Sequence, residues 1–160
     1  MATLHFICGR AGAGKTTLAR QLARELPAVC ICEDEWLCRV APPISNLEDY
    51  LTSSSRVRAA LGPHIVDLLK LGVSVVIDFA GNTPRSRAWV RSLFESAGAA
   101  HVLHYIDVDE ETCRRRVHER NDREPEGIFF GVVTDQQLVE VNRYFTPPAI
   151  EEGFNVLQRL

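Results

Sequence analysis

Eight residues, Gly9-Arg-Ala-Gly-Ala-Gly-Lys-Thr16, restrict this chain more than any other stretch. They match the pattern G-x-x-x-x-G-K-[ST] in full, a glycine-rich loop whose backbone N–H groups cradle phosphate oxygens when it joins a strand to a helix. That context is present. Thr3 to Cys8 is a short apolar run suited to a buried strand. Leu18, Leu22 and Leu26 then mark one helical face from Lys15 to Leu26, and Pro27 stops it. Gly9, Gly12 and Gly14 let the backbone curl, with Arg10, Ala11 and Ala13 completing the cradle. The helix start adds its positive end. Lys15 brings a point charge to the β- and γ-phosphates, the Thr16 hydroxyl is placed to ligate Mg²⁺, and Thr17 can reach the α-phosphate. The loop predicts binding of a nucleoside triphosphate with Mg²⁺.

The rest of the chain alternates strands with helices. Ala28 to Cys32, Val73 to Phe79, His101 to Asp107 and Phe154 to Leu160 read as further strands. Leu47 to Leu61 and His64 to Leu71 read as two helices parted by Gly62-Pro63, with Gly72 closing the second. Thr83 caps a helix with Pro84 in its first turn and Gly98 after its end. Asp109 caps the next, and Thr134 with Gln137 forms a capping box for a helix through Phe145. Asn121 to Val133 lacks a period and reads as a loop. The alternation predicts an α/β fold, a parallel sheet of five strands with helices on both faces. With 160 residues and no internal repeat, one domain over 1–160 is expected.

Composition narrows the function classes. A net charge of −3 argues against a broad polyphosphate-binding surface, so a nucleic-acid partner is less expected than a small molecule. The five cysteines form no Cys-x-x-Cys pair and read as reduced, mostly buried thiols. His101 and His104 lie an odd number apart on a strand, so they face opposite sides and have no metal-ligand spacing. No leader and no run long enough to cross a bilayer are seen, and a cytoplasmic protein is expected.

A regulatory GTPase would carry an Asn-Lys-x-Asp segment, which is absent. A motor ATPase would place a Glu beside the Asp that ends its magnesium-side strand, whereas Asp78 is followed by Phe79. Transfer to a bound acceptor is favoured over water-driven work. "CICEDEWLCR" then gathers Glu33, Asp34 and Glu35 at the carboxyl end of the second strand, the edge where open α/β sheets bind ligands. One carboxylate near an acceptor hydroxyl can orient it and take its proton. The same acids could equally be a solvated turn capping the helix that follows.

The run Thr3 to Arg39 resembles the small P-loop kinase group of AAA_33-type ATP-binding proteins, which includes phage-type polynucleotide 5′-hydroxyl kinase, chloramphenicol phosphotransferase and zeta-toxin kinases. The resemblance implies the strand order 2-3-1-4-5 and a small lid at about 114–134. It makes Asp34 the base, Trp36 an aromatic near the acceptor, and Arg39 a contact to the transition state or an acceptor phosphate. "VIDFAGNTPRSR" resembles the group's third strand, so Asp78 contacts the substrate or reaches magnesium through its water. In "CRRRVHERNDREPEG" Arg120 and Arg123 match the lid arginines, with catalytic and adenine-stacking roles, while Glu124 stands where some relatives carry a basic residue. Arg114 and Arg115 read as a solvated face. Tyr144, in "RYFTPP", falls at the corner that relatives use for the adenine ring, with Phe145 a core aromatic.

The segment Pro42 to Arg58 occupies the place of the acceptor pocket and carries Ser53, Ser54, Ser55, Glu48, Asp49, Arg56 and Arg58, with Arg56 a substrate-binding candidate. Three functions follow in order of expectation. The first is an ATP-dependent kinase for a hydroxyl of a small molecule, of sugar, antibiotic or nucleotide-sugar type. The second is a polynucleotide 5′-hydroxyl kinase, and the third a nucleotide-gated binder without an acceptor.

Overall fold

The computed structural model describes residues 1–123 and 133–159. Five strands, β1 (Thr3–Gly9), β2 (Val29–Cys32), β3 (Val75–Asp78), β4 (Ala100–Ile106) and β5 (Val156–Arg159), form one parallel sheet in the order β2-β3-β1-β4-β5. The helices are α1 (Lys15–Glu25), α2 (Glu33–Val40), α3 (Leu47–Lys70), α4 (Pro84–Ala97), α5 (Glu110–Asp122) and α6 (Asp135–Arg143). Both the expected sheet and its order are found. The chain runs outward from β1 to β2 and returns through β3 to β4. The crevice therefore opens at the carboxyl ends of β1 and β3.

β1, β3 and β4 split their side chains between two cores. Leu4, Phe6, Cys8, Val75 and Ile77 pack with Val57, Leu61, Ile65, Val90 and Leu93 of α3 and α4. Ile7, Val76 and Ile106 pack with Ala19 and Leu22 of α1 and Cys113 of α5. The caps read from the sequence are present. Thr83 and Ser86 form a capping box, Thr134 and Gln137 another, and Asp109 accepts from the N–H of Thr112 at 2.8 Å.

Two helical expectations need correction. Gly62-Pro63 does not divide α3, which runs unbroken through both residues. Pro63 removes the hydrogen bond to the Ala59 carbonyl, and Ala59 and Pro63 are both exposed, so that carbonyl is open to solvent. Gly62 is on the inward face, where a Cβ would stand 3.5 Å from Leu93 of α4. The acids after β2 are also more than a turn: Glu33, Asp34 and Glu35 are the first turn of α2, where the helix dipole favours carboxylates.

Arg87 of α4 is wholly buried. It donates to the Glu152 carboxylate twice at 2.7 Å, to the carbonyls of Gly81 (3.1 Å) and Thr146 (2.9 Å), and to that of Pro147 (3.4 Å). This guanidinium fastens residues 146–152 to the loop after β3. Nine residues of the expected lid, 124–132 with Glu124 among them, lie outside the described residues.

Candidate active site

The glycine-rich loop leaves β1 at Gly9 and enters α1 at Lys15. Gly12 and Gly14 take φ of 84° and 100°, the left-handed region that side chains resist. Gly12 has a second reason to be glycine, because a Cβ there would stand 2.4 Å from the Cys113 carbonyl oxygen of α5. Gly14 caps α1 with no side-chain hydrogen bond, so the first N–H groups of α1 meet no capping side chain among the described residues. Lys15 folds back over the loop and donates from Nζ to the carbonyls of Gly9 (2.8 Å) and Arg10 (2.9 Å). Burial lowers its pKa, opposed most by the charge of Asp78. Two further side chains brace the loop. The Asn82 amide oxygen accepts from Gly9 N–H at 3.3 Å, and Arg116 of α5 donates to the Ala13 carbonyl at 3.2 Å.

The three acids of α2 have different surroundings. Glu33 is buried and accepts from the Ser54 hydroxyl and from Arg58 Nε (2.9 Å) and Nη2 (3.3 Å). Glu35 accepts from Arg20 at 3.0 Å at the surface. Asp34 makes no side-chain hydrogen bond among the described residues. Its pKa is pushed up to about 6, first by burial and then by the charges of Asp78 and Glu33, against the pull of Lys15 and Arg120. Asp78 in turn accepts from the Cys32 thiol at 3.5 Å, and burial with that carboxylate pushes the thiol up to about 12. Burial and the charges of Glu33 and Asp34 likewise raise the Tyr50 phenol.

Lys15, Asp34, Asp78 and Arg120 thus share one electrostatic neighbourhood. Arg120 is half-buried, and its Nε is buried without a partner among the described residues. The other residues singled out in the sequence are more open. Thr16, Thr17, Arg39, Arg56 and Arg123 are exposed, Trp36 is 38% exposed and Tyr144 is 59% exposed. Phe145 stacks on Tyr105 and lies beneath the Arg10 guanidinium at 4.7 Å. Arg114 is tied to Asp135 at 3.1 Å, a surface pair.

Sequence reasoning missed the bracing roles of Asn82 and Arg116 and the place of Tyr50. Only Arg116 had a signal, its four-residue spacing from Arg120. The site fits a triphosphate, with curled glycines, a lysine over the loop carbonyls and, on Arg120 of α5, a buried guanidinium nitrogen without a partner among the described residues. The Thr16 hydroxyl and the Asp78 carboxylate fit Mg²⁺, which takes few protein oxygens beside phosphate and water.

This sheet order with this loop defines a P-loop kinase fold, of the small P-loop kinase group. The chain belongs to the AAA_33 family of AAA domains, whose pattern matches residues 4–148. No curated protein matches the sequence. Among solved structures it is similar to a Chloroflexus aurantiacus protein that is itself a kinase by inference. That pair has 18% identity and a TM-score of 0.77, covering 99% of this chain and 84% of that one. It is also similar to Chaetomium thermophilum Kti12 in complex with ADP-AlF3, at 18% identity and a TM-score of 0.69 over 98% of this chain and 88% of the other. A sugar kinase from Janibacter sp. HTCC2649 has 18% identity and a TM-score of 0.63, with 99% and 86% covered. At these identities the likeness is one of fold.

Proposed function

We propose that the chain is an ATP-dependent phosphotransferase that moves the γ-phosphate to a hydroxyl of a small molecule, of sugar, antibiotic or nucleotide-sugar type. The observation that carries this reading is Asp34. Of three adjacent acids it alone has no hydrogen-bonding side chain among the described residues, and it shares the field of Lys15 with Asp78. When bound, ATP supplies the phosphoryl group and Mg²⁺ neutralises its charge. Thr16 would hold the metal, with Asp78 reaching it through water or contacting the acceptor. Lys15 leaves the loop carbonyls for the phosphates.

Asp34 accepts a hydrogen bond from the acceptor hydroxyl, aims its oxygen in line and takes its proton as the new P–O bond forms. Its raised pKa brings it nearer to that task than an ordinary aspartate. Arg120, with Arg123 beside it, balances charge on the transferring group. Trp36, Arg39 and Arg56 face the acceptor, and Tyr144 lies toward the nucleotide. A sugar kinase and an ADP-AlF3 complex among the similar structures support the acceptor class and the donor nucleotide.

The test is ATP turnover over a panel of sugars, aminoglycosides, nucleosides, nucleotide sugars and a 5′-hydroxyl oligonucleotide. Transfer to one small-molecule class is expected. Transfer to the oligonucleotide alone makes the chain a polynucleotide kinase, and tight ATP binding with no transfer makes it a nucleotide-gated binder.

A further inference from the structure

Glu33 and Asp34 are consecutive residues in the first turn of α2, the one buried and the other half-buried. Neighbouring positions on a helix point about 100° apart, so two adjacent acids look onto different parts of the fold. Glu33 turns to α3, where Ser54 and Arg58 between them engage both of its oxygens. Acceptance by both oxygens from one guanidinium is the arrangement of an ionised carboxylate. The two Cα atoms are about 3.8 Å apart, and in a partly buried setting a charge on one side chain is felt strongly by the other.

A buried ion pair is an expensive way to join two helices, because apolar side chains of similar size do so as well or better. Placing that charge beside a second acid adds repulsion between like charges. A purely structural role explains neither the charge of Glu33 nor its position. The groups that face Asp34 show where the charge acts. The cations are Lys15 of α1 and Arg120 of α5, and the anions are Asp78 of β3 and Glu33 itself. The thiols of Cys32 and Cys38 and the phenol of Tyr50 in α3 are the other titratable neighbours. Arg58 is not among the charges that weigh most on Asp34, and it lies over the Phe79 and Trp89 rings, 5.6 and 5.1 Å from their centres. Two cations alone would leave Asp34 a weak base, and the two anions oppose them. Asp78 is also a candidate for Mg²⁺, which would offset its charge; Glu33, tied to α3, is not.

We propose that Glu33 is a positioning residue for Asp34: locked to α3 by Ser54 and Arg58, it fixes the first turn of α2 and sets a permanent negative charge beside the base, which strengthens Asp34 as a proton acceptor. Glu33 touches no reacting atom and acts through its neighbour. The use made of Asp34 rests on the phosphotransferase reading, whereas the coupling between the two carboxylates does not.

The experiment is a carbon-13 NMR titration of the aspartate carboxyls in the full chain, with the Asp34 signal assigned by its loss in Asp34→Asn. Glu33→Gln keeps the shape and an acceptor but removes the charge. It should lower the Asp34 midpoint by about half a pH unit or more and leave MgATP affinity, which reports the fold, within about twofold. Glu33→Asp keeps the charge and should return the midpoint most of the way. Arg58→Gln separates charge from packing, because it loosens the same contact while sparing the anion, and the midpoint should stay or rise. If Glu33→Gln does not fold, the double variant Glu33→Met/Arg58→Met, which replaces the pair by apolar bulk, is read in its place and should lower the midpoint as far. An unmoved midpoint on loss of the Glu33 charge overturns the proposal, as does equal lowering in Arg58→Gln. Where an acceptor is phosphorylated, Glu33→Gln should lower kcat several-fold with KM for MgATP little changed, and move the pH profile with the midpoint. A moved midpoint with no acceptor phosphorylated removes the phosphotransferase reading and leaves the coupling standing. Transfer that depends on Asp34, with its midpoint unmoved, removes this inference alone.

Discussion

Glu33 and Arg58 are joined across α2 and α3 by a two-pronged contact, Nε at 2.9 Å and Nη2 at 3.3 Å from the two carboxylate oxygens. The guanidinium also lies 5.1 Å from the Trp89 ring centre and 5.6 Å from that of Phe79. Glu33 is thereby committed to the scaffold, whereas the next residue, Asp34, has no side-chain hydrogen bond among the described residues. Removing Arg58 would leave a buried carboxylate with one hydroxyl partner. Arg58→Ala is expected to cost about 2 to 3 kcal/mol, read as a lower denaturant midpoint. A midpoint equal to that of the parent would mean that Glu33 reaches water.

Asp34→Asn separates binding from transfer. Turnover should drop by a factor of roughly 10² or more while MgATP affinity stays within a few-fold. Lys15→Ala, by contrast, should lose both. In the parent, transfer should rise with pH through about 6 and level off above it, because the base acts ionised. A rate independent of pH from 5 to 8 would remove Asp34 from that role.

The same carboxyl makes a claim about stability. A folded pKa near 6 against an ordinary value of 3.8 means that the folded state binds more protons than the unfolded chain between those pH values. Stability should therefore fall as pH rises through that window. Above it, Asp34→Asn should stabilise the free protein by an amount on the order of 1 to 3 kcal/mol. Thermal unfolding of both proteins at pH 4 and pH 7.5 measures it: a gain at pH 7.5 that shrinks at pH 4 is expected, and equal shifts at both would contradict the linkage.

Pro63→Ala tests the unbroken α3. Alanine restores the hydrogen bond to the Ala59 carbonyl and removes the ring, so the helix should gain about 1 to 3 kcal/mol, visible as a higher unfolding midpoint. A true break between two helices would show no gain.

Gly12→Ala combines a left-handed φ with a Cβ 2.4 Å from the Cys113 carbonyl oxygen. The loop and α5 cannot both stay in place. MgATP affinity should fall at least about tenfold, measured beside Gly14→Ala, where open space leaves only the backbone strain and a smaller loss is expected.

What could be read from the sequence was local. The loop, its strand and its helix are adjacent in the chain, and capping residues such as Thr83 and Asp109 act within one turn. Alternation of strands and helices was enough for a parallel sheet. The acids after β2 could be located, but their separate fates depended on Ser54 and Arg58, 21 and 25 residues further on. The break expected at Gly62-Pro63 failed because solvent, on one side, and α4, on the other, decide what a helix can tolerate there.

The buried Arg87 has a consequence for how the chain becomes a protein. Its countercharge, Glu152, is 65 residues downstream. A nascent chain that has already delivered β1 to β4 holds that guanidinium without its anion and without the carbonyls of Thr146 and Pro147. The larger core, which α4 helps to cover, cannot close around an uncompensated cation. Completion of the fold therefore waits for residues 146–152 to leave the ribosome, and a truncation ahead of them would yield a substrate for chaperones and proteases instead of a smaller domain.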